Sequence, residues 1–435
     1  MGRLIRILIA AVLSAALFLP AGCDGCGGES RPDDVGDIYT ENPSELSGSI
    51  KVALPSTGDK REIFNNAIDE YKKTRPNVTV TPEWKTSDEF YLSYKTDISS
   101  GSNVFPDAAL IDHVYVQGLA GLNLIANVTS VTEHYKELYV DNLIEANALD
   151  GRYYAFPFSA NTVQLYVNDD IMGGVPVPAT YAEFLTAGTA ISAANPDKSV
   201  FSLSTGVDYK GFGAMLYLSW TARNGGTILS SDMKTALLNG EKSKRTLGQW
   251  KQIIDNEWAN PSLSNEGNFY LGKVAMLEMG CWSVPTVENA GLNVSIHPLF
   301  SLDAGSENNN SVLGLYSMCV TNQSDINKVK IAADFSAFIS AYTQIQVDYA
   351  KASKCLPVTK EGVADEFFAA DKWKPFCDAL PGAIRRPGSP EWQFIETEIG
   401  NMYMKVVMEQ SSIDDAAAYH QNRVQKRLDE YYGGL

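Results

Sequence analysis

Apolar and polar positions follow two different periods in the first third of the chain. Residues 49–54 alternate between polar and apolar side chains, as in a strand with one buried face. Apolar residues then recur every three or four positions from Ile63 to Tyr71, as on one face of a helix. Both patterns repeat, and they predict a strand at 78–81, a helix at 88–99, a strand at 107–111 and a helix at 114–122. This alternation predicts an α/β fold in which helices pack on a mixed sheet.

Similar patterns extend through the rest of the chain. Residues 155–158 and 164–167 are strand-like, and Thr180 is a suitable N-cap for a helix that begins near Tyr181. Further helices are predicted at about 210–223, 246–258 and 326–342, followed after Pro390 by two helices that separate near Ser411 and Ser412.

The first 22 residues have the character of a secretion signal. They contain no acidic residue, and Arg3 and Arg6 precede an apolar run over residues 7–20 that is too short to span a membrane. Cys23 follows Ala-Gly, which resembles the bacterial lipoprotein box, although Pro20 stands where that box usually has leucine. The resemblance implies lipidation of Cys23. The alternative is ordinary cleavage and a freely secreted protein.

The remaining length divides into a tether and a large body. Residues 23–47 are rich in Gly, Asp, Glu, Ser and Pro, which predicts a flexible tether. The chain of 435 residues is too long for one hydrophobic core, and its 45% hydrophobic content is that of a globular protein. No later run approaches the ~18 apolar residues of a membrane-spanning helix.

Charge and the chemistry-bearing residues exclude several classes of function. A net charge of −17 argues against non-specific nucleic-acid binding, which requires clustered Lys and Arg. The four histidines are far apart and no nucleophile-elbow motif is present, so we predict no catalytic residue, no metal and no cofactor. The cysteines of the body fit no zinc pattern. A disulfide between Cys355 and Cys377 and buried free thiols remain as alternatives.

Several loose motifs occur in a specific order along the chain. They are Pro106-Asp-Ala-Ala-Leu-Ile-Asp112, Leu119-Ala-Gly-Leu-Asn-Leu124, Asp150-Gly-Arg-Tyr-Tyr-Ala-Phe-Pro157, Leu165-Tyr-Val-Asn168, Pro178-Ala-Thr-Tyr-Ala-Glu183, and Phe269 to Met276 followed by Gly280-Cys-Trp282. In this order they resemble the extracellular solute-binding proteins of ABC importers, in the branch that includes maltose-binding protein and other sugar receptors. Tyr181 stands where that family usually has tryptophan.

The resemblance covers nearly all of residues 48–432 and implies two α/β lobes, joined by a hinge, that close on a ligand. The chain is expected to cross between the lobes near 159–163, 299–311 and 354–358. The implied division is a signal peptide at 1–22, a tether at 23–47, a first lobe at 48–160 plus about 310–355, and a second lobe at 161–309 plus about 356–435.

A sugar offers apolar C–H faces and hydroxyl groups, so its receptor needs aromatic faces and paired polar groups. The resemblance implies that Trp282 stacks on the ligand. The ligand-binding candidates at strand ends and hinge are Trp282, Asp59, Asp112, His113, Asn161, Asn224, Trp392, Trp84 and Tyr316. Structural alternatives are core packing for Trp282, an N-cap for Asp59 and a helix cap for Asn224. Arg385 and Arg386 could bind an anionic group, and a solvated face is the alternative.

The resemblance therefore implies a substrate-binding lipoprotein of an ABC transporter, which captures a mono- or oligosaccharide and delivers it to the permease subunits. It implies no enzymatic activity, an extracytoplasmic monomer, membrane contact only through the N-terminal lipid, and no nucleic-acid partner. One alternative is the same fold with a non-sugar solute such as an oligopeptide, a polyamine or a phosphate ester. The other is an extracytoplasmic glycosidase, which would need two carboxylates at a fixed separation.

Overall fold

The computed structural model describes residues 34–433, except 56–58, 86–88, 90, 92–104, 204–209, 261–264 and 304–307. Within these residues, two main sheets form the framework. The first has the order β12-β11-β3-β1-β2, with β6 also paired to β11, and the second has the order β10-β7-β9-β8. The strands are β1 (Gly48–Leu54), β2 (Val78–Trp84), β3 (Ala108–Asp112), β4 (Ala148–Leu149), β5 (Arg152–Tyr153), β6 (Ala155–Asn161), β7 (Val163–Asn168), β8 (Ser199–Ser202), β9 (Val274–Gly280), β10 (Val294–His297), β11 (Val312–Val320) and β12 (Ile384–Arg385).

Helices cover both sheets. They are α1 (Lys60–Thr74), α2 (Val116–Gly121), α3 (Thr129–Tyr135), α4 (Asp141–Glu145), α5 (Asp169–Met172), α6 (Tyr181–Ala194), α7 (Lys210–Arg223), α8 (Glu241–Asp255), α9 (Asn265–Tyr270), α10 (Val284–Asn289), α11 (Ile326–Ala341), α12 (Thr343–Ser353), α13 (Lys360–Val363), α14 (Lys374–Asp378), α15 (Trp392–Val407) and α16 (Ile413–Gly433). Every residue of β7 and β9 is buried, as expected for central strands with helices on both faces. No helix among the described residues is long and apolar enough to cross a membrane.

Most predicted elements are present at the predicted positions. The Thr180 hydroxyl accepts a hydrogen bond from the Glu183 amide at 3.2 Å, which confirms the predicted N-cap of α6. Helix α8 begins five residues before the predicted position 246, because its first turn is polar and shows no apolar period. The helix predicted at 88–99 lies almost wholly outside the described residues.

The chain passes directly from the first sheet to the second where β6 leads into β7. Strand β6 ends at Asn161 in the first sheet and β7 begins at Val163 in the second, so Thr162 alone separates them. Residues 356–435, assigned by prediction to the second lobe, are shared between the sheets. Strand β12 pairs with β11 of the first sheet, whereas α15 and α16 pack with α7 and α8 beside the second.

The segment just before β1 differs from the predicted tether. Ile38 and Leu46 are buried, the Ile38 amide donates to the Ser130 hydroxyl at 3.1 Å, and the Tyr39 ring stacks on His134 at 3.5 Å. Ile38 and Tyr39 thus contact helix α3 through Ser130 and His134. The predicted signal peptide at 1–22 and Cys23 lie outside the described residues.

A buried ion pair joins helix α7 to the second sheet. Arg223 and Glu278 are almost fully buried and pair at 2.8 Å, and Glu278 also accepts a hydrogen bond from the Trp220 indole at 2.8 Å. A second guanidinium nitrogen of Arg223 donates to the Phe300 carbonyl at 3.0 Å, in the segment that leads from β10 to β11. Each buried charge is therefore compensated by partners from separate elements, as a buried charge requires.

Replacing Arg223 with methionine should leave the Glu278 carboxylate buried without its counter-charge. We expect Arg223→Met to lower the free energy of unfolding by about 3–5 kcal/mol, measured by urea denaturation. The matched control is Lys244→Ala, which breaks the exposed pair with Asp414 and should cost less than about 1 kcal/mol. Similar losses in the two variants would contradict the prediction.

Candidate functional site

Tyr316 is the one exposed residue in β11, a strand that the structure describes completely. The other eight positions are buried, whereas Tyr316 is 38% exposed. Tyr316 lies opposite Asp112 of β3 and Ser159 of β6, and the pairing with β6 shifts register between Tyr316 and Ser317. A bulge of this kind redirects a side chain out of the regular pleat. An aromatic ring is thus presented to solvent beside the carboxyl end of β3.

Asp112, at the end of β3, is held by a cation from a distant part of the chain. One nitrogen of Arg386 donates to both carboxylate oxygens, at 2.6 and 2.8 Å, and Arg386 Nε donates to the Leu313 carbonyl at 3.3 Å. Burial opposes ionisation of Asp112, but Arg386 and His113 together keep the pKa of this carboxyl well below its usual range. Arg386 is buried in this pair, so the predicted solvated face does not apply to it.

His113 is buried beside Asp112 and borders a cavity. Its Nδ1 lies 3.1 Å from the Leu315 carbonyl, 3.2 Å from Asp112 Oδ1 and 3.5 Å from an Arg386 nitrogen, and the two nearer oxygen acceptors favour the tautomer with the proton on Nδ1. Nε2 has no hydrogen-bond partner among the described residues and is left as an acceptor, because burial lowers the pKa of His113. The cavity measures about 480 Å³, a size suited to a small ligand. Its lining also includes Gln117, Glu145, Ser230, Arg385 and Arg386.

Trp84 lies at the end of β2, and Asp59 lies at the start of α1. Trp84 is partly buried, and the Arg61 guanidinium sits 5.1 Å from the centre of its ring. Asp59 occupies the N-cap position of α1 and is exposed, and its side chain makes no capping hydrogen bond with any described residue. The N-cap alternative for its carboxylate therefore has no support in the geometry.

Asn161 lies beside Cys281, the residue before Trp282, where the chain passes from β6 to β7. Asn161 Oδ1 lies 3.5 Å from Cys281 Sγ, and Cys281 directly precedes Trp282. The Trp282 indole is partly exposed and contacts the Phe212 ring edge-on at 5.6 Å. Gly280 is packed against this indole so closely that a Cβ at position 280 would overlap the ring.

Asn224 and Trp392 do not lie at this surface. Asn224 is fully buried and donates to the Thr246 hydroxyl at 3.1 Å and to the Gln249 side chain at 2.7 Å. Trp392 is 2% exposed and starts α15 inside the apolar core. Asn224 Oδ1 and Trp392 Nε1 have no hydrogen-bond partner among the described residues, but both side chains are buried in this arrangement, so a ligand contact by either residue stays a prediction.

Sequence reasoning missed the partners that hold the candidate residues. Arg386 is 274 residues from Asp112, and no local pattern connects them. Phe212 lies on α7, and the sequence pattern predicts only a helix there. Arg61 lies two positions after Asp59. Its aromatic partner, Trp84, cannot be identified from the sequence without the pairing of β1 with β2.

Comparison with known proteins identifies the family. The model of the bacterial extracellular solute-binding proteins matches residues 66–375. The chain belongs to this family. A binding protein of Brucella abortus is 22% identical over 411 residues, which cover 86% of this chain and 96% of that protein. The maltotriose-binding protein of Pyrococcus abyssi is 23% identical over 259 residues, 58% of this chain and 54% of that protein.

Solved structures confirm the predicted two-lobe α/β fold for this solute-binding protein. The cyclic alpha-maltosyl-1,6-maltose binding protein from Arthrobacter globiformis has a TM-score of 0.78 at 19% identity, covering 88% of this chain and 99% of that one. The sugar-binding protein MalE from Xanthomonas citri has a TM-score of 0.77 at 18% identity, with coverage of 88% and 98%. UgpB from Mycobacterium tuberculosis has a TM-score of 0.72 at 17% identity, with coverage of 89% and 100%.

The Asp112–Arg386 pair should make stability depend on pH in the acidic range. Because the pKa of Asp112 is lower in the folded than in the unfolded state, the stabilisation is fully present above the unfolded pKa of about 4 and is lost as pH falls. We expect Asp112→Asn to cost about 2–4 kcal/mol at pH 7 and progressively less from pH 5 to pH 3, by urea denaturation. A difference that stays constant over this range would contradict the depressed pKa.

Gly280→Ala should displace the Trp282 indole, because the added methyl group occupies its space. We expect a changed near-ultraviolet circular dichroism signal and a loss of about 1–3 kcal/mol in stability. The spectral change should be absent when Gly280→Ala is made in a Trp282→Phe background. Gly267→Ala is the control, since its Cβ would meet open space and should leave the spectrum unchanged.

Proposed function

We propose that this protein is the substrate-binding component of an ABC transporter and captures a carbohydrate between its two lobes. The observation that carries the proposal is Tyr316, an exposed ring on a buried strand with the ionised Asp112 opposite it. A sugar ring can stack on such an aromatic face while its hydroxyl groups donate to a carboxylate. Trp84, Trp282, Asp59, His113 and Asn161 are the further contacts in this proposal.

The chemistry of the pair favours a neutral ligand. The Asp112 carboxylate neutralises the charge of Arg386, so this pair offers little net positive charge to a phosphate or carboxylate group. The His113 Nε2 acceptor suits a hydroxyl donor. The names of related proteins also support a carbohydrate ligand. The Pyrococcus relative is a maltotriose-binding protein, and the Arthrobacter protein is a cyclic alpha-maltosyl-1,6-maltose binding protein.

Delivery to a permease would follow from lobe closure. A ligand that contacts both sheets stabilises the closed arrangement, and a permease can then distinguish the loaded from the empty protein. In this proposal the protein acts as an extracytoplasmic monomer, held at the membrane by a lipid on Cys23. The proposal assigns it no catalytic role, and Asp112, which Arg386 keeps ionised, is unsuited to be the protonated acid of a glycosidase.

A second candidate ligand class is a glycerophosphodiester. The Mycobacterium tuberculosis protein UgpB, whose fold is similar, was solved with glycerophosphocholine. Binding of a glycerophosphodiester to this protein would require a cation other than Arg386 to pair with its phosphate group.

Calorimetric titration with maltose, maltotriose, maltotetraose, a cyclodextrin and glycerophosphocholine tests the proposal. We expect heat from at least one saccharide, and Tyr316→Ala and Trp282→Ala should each weaken its binding about 5–30-fold, because each removes one stacking face. Tyr419→Ala, which removes another exposed ring on α16, should leave the affinity unchanged. Binding of glycerophosphocholine but of no saccharide would overturn the sugar assignment.

A further inference from the structure

Three of the four described cysteines gather where the chain passes between the two sheets. Cys281 follows β9 of the second sheet, Cys355 follows α12, and Cys377 lies in α14. All three are free thiols and at most 5% exposed. The fourth, Cys319, lies within β11 of the first sheet.

Cys281 lies beside the segment that contains Cys355. Cys281 Sγ is 3.5 Å from the carbonyl oxygen of Lys354, the residue that precedes Cys355. The hydroxyl of Thr162, the residue between β6 and β7, donates at 2.8 Å to the carbonyl of Phe376, which precedes Cys377. Burial raises the pKa of the Cys281 thiol, and its neighbours Cys355 and Cys377 raise it further, with Cys355 having the larger effect.

We propose that Cys281 and Cys355 form a disulfide when the protein meets a disulfide oxidant outside the cytoplasm. The family is extracellular, and disulfides form and persist in such compartments. This pairing replaces the Cys355–Cys377 pair that sequence spacing suggested, because the structure brings the thiol of a distant segment into contact with the residue next to Cys355.

The exchange balances with a low-molecular-weight disulfide as the oxidant. Cys355 is 5% exposed and Cys281 is fully buried, so Cys355 reacts first. Its thiolate attacks one sulfur of the oxidant, forms a mixed disulfide and releases one thiolate. The Cys281 thiolate then attacks the Cys355 sulfur and releases the second. The two cysteines lose two protons and two electrons, and the oxidant becomes two thiols.

Burial makes this reaction slow unless the segment opens. It raises the pKa of Cys355 to about 12, although the nearby Lys60 ammonium and the Ser159 hydroxyl act in the opposite direction. Little thiolate is therefore present at neutral pH in the described arrangement. The rate of oxidation should accordingly increase with pH and with motion of the segment around Lys354.

The bond would tie the second sheet to the first. Cys281 directly follows β9, whereas Leu356, next to Cys355, exchanges backbone hydrogen bonds with Ala160 of β6 at 2.8 and 3.0 Å. A covalent link here would restrict rotation of one lobe against the other. This consequence rests on the proposed function, because only a protein that closes on a ligand is affected by such a restriction.

Peptide mapping after oxidation tests the pairing. The purified chain is treated with excess oxidised glutathione, unfolded in the presence of N-ethylmaleimide and digested for mass spectrometry. We expect one linked peptide that joins Cys281 to Cys355. Cys281→Ala should instead carry glutathione on Cys355, whereas Cys377→Ala and the matched control Cys319→Ala should still form the link.

The possible outcomes separate the disulfide from the proposed function. A wild-type chain that forms no link, or that links Cys355 to Cys377, overturns the pairing, and this result needs no variant and no ligand. If the link forms, the dissociation rate of maltotetraose from oxidised and reduced protein is compared, with slower release expected after oxidation. An unchanged rate overturns the restriction of lobe motion, and absence of maltotetraose binding by the reduced protein counts against the proposed ligand alone.

Discussion

Strand β11 is the element on which the first sheet and the candidate site both depend. It returns from the second sheet and hydrogen-bonds to β3, β6 and β12, three strands that are far apart in the sequence. Because every side chain of β11 except that of Tyr316 is buried, a shift of register by one residue would bury the position of Tyr316 and disturb the packing on both faces of the strand. That fixed register places Tyr316 opposite Asp112 and sets Gly314 against Asn161, where the chain leaves for the second sheet.

Buried ion pairs fix the positions of the elements around these sheets. Arg75 and Asp334 join α1 to α11, Arg223 and Glu278 join α7 to β9, and Arg386 and Asp112 join β12's end to β3. A buried charge without its partner is costly, so each pair strongly disfavours arrangements that separate its two elements. The Arg386–Asp112 pair also affects what the candidate site presents to a ligand. The Arg386 guanidinium is paired within the protein, and the Asp112 carboxylate stays ionised.

Local patterns were sufficient for the elements that have one buried face or a clear cap. The order of β1, α1, β2 and β3, the Thr180 cap and the two C-terminal helices all follow from periodicity and capping residues. Strands β9 and β11 were not predicted, because they are buried on both faces and show no alternation. The contacts of residues 34–47 were missed for a different reason: a few isolated apolar residues in a polar segment have no period to detect.

The sequence by itself determined the α/β class, the element order and, through the resemblance, the solute-binding family, because these depend on local periodicity and on motifs spread along the chain. It also supplied Trp84 and Asp112 as residues at strand ends and Tyr316 as a candidate aromatic residue. Only the tertiary structure decided which side chains were already used. Asn224 and Trp392 are buried between helices, and Arg386 is paired with Asp112. Cys281 lies beside the segment that contains Cys355. Such pairings join residues that are distant in sequence, and their geometry is set by sheet register and helix packing, which no local pattern specifies.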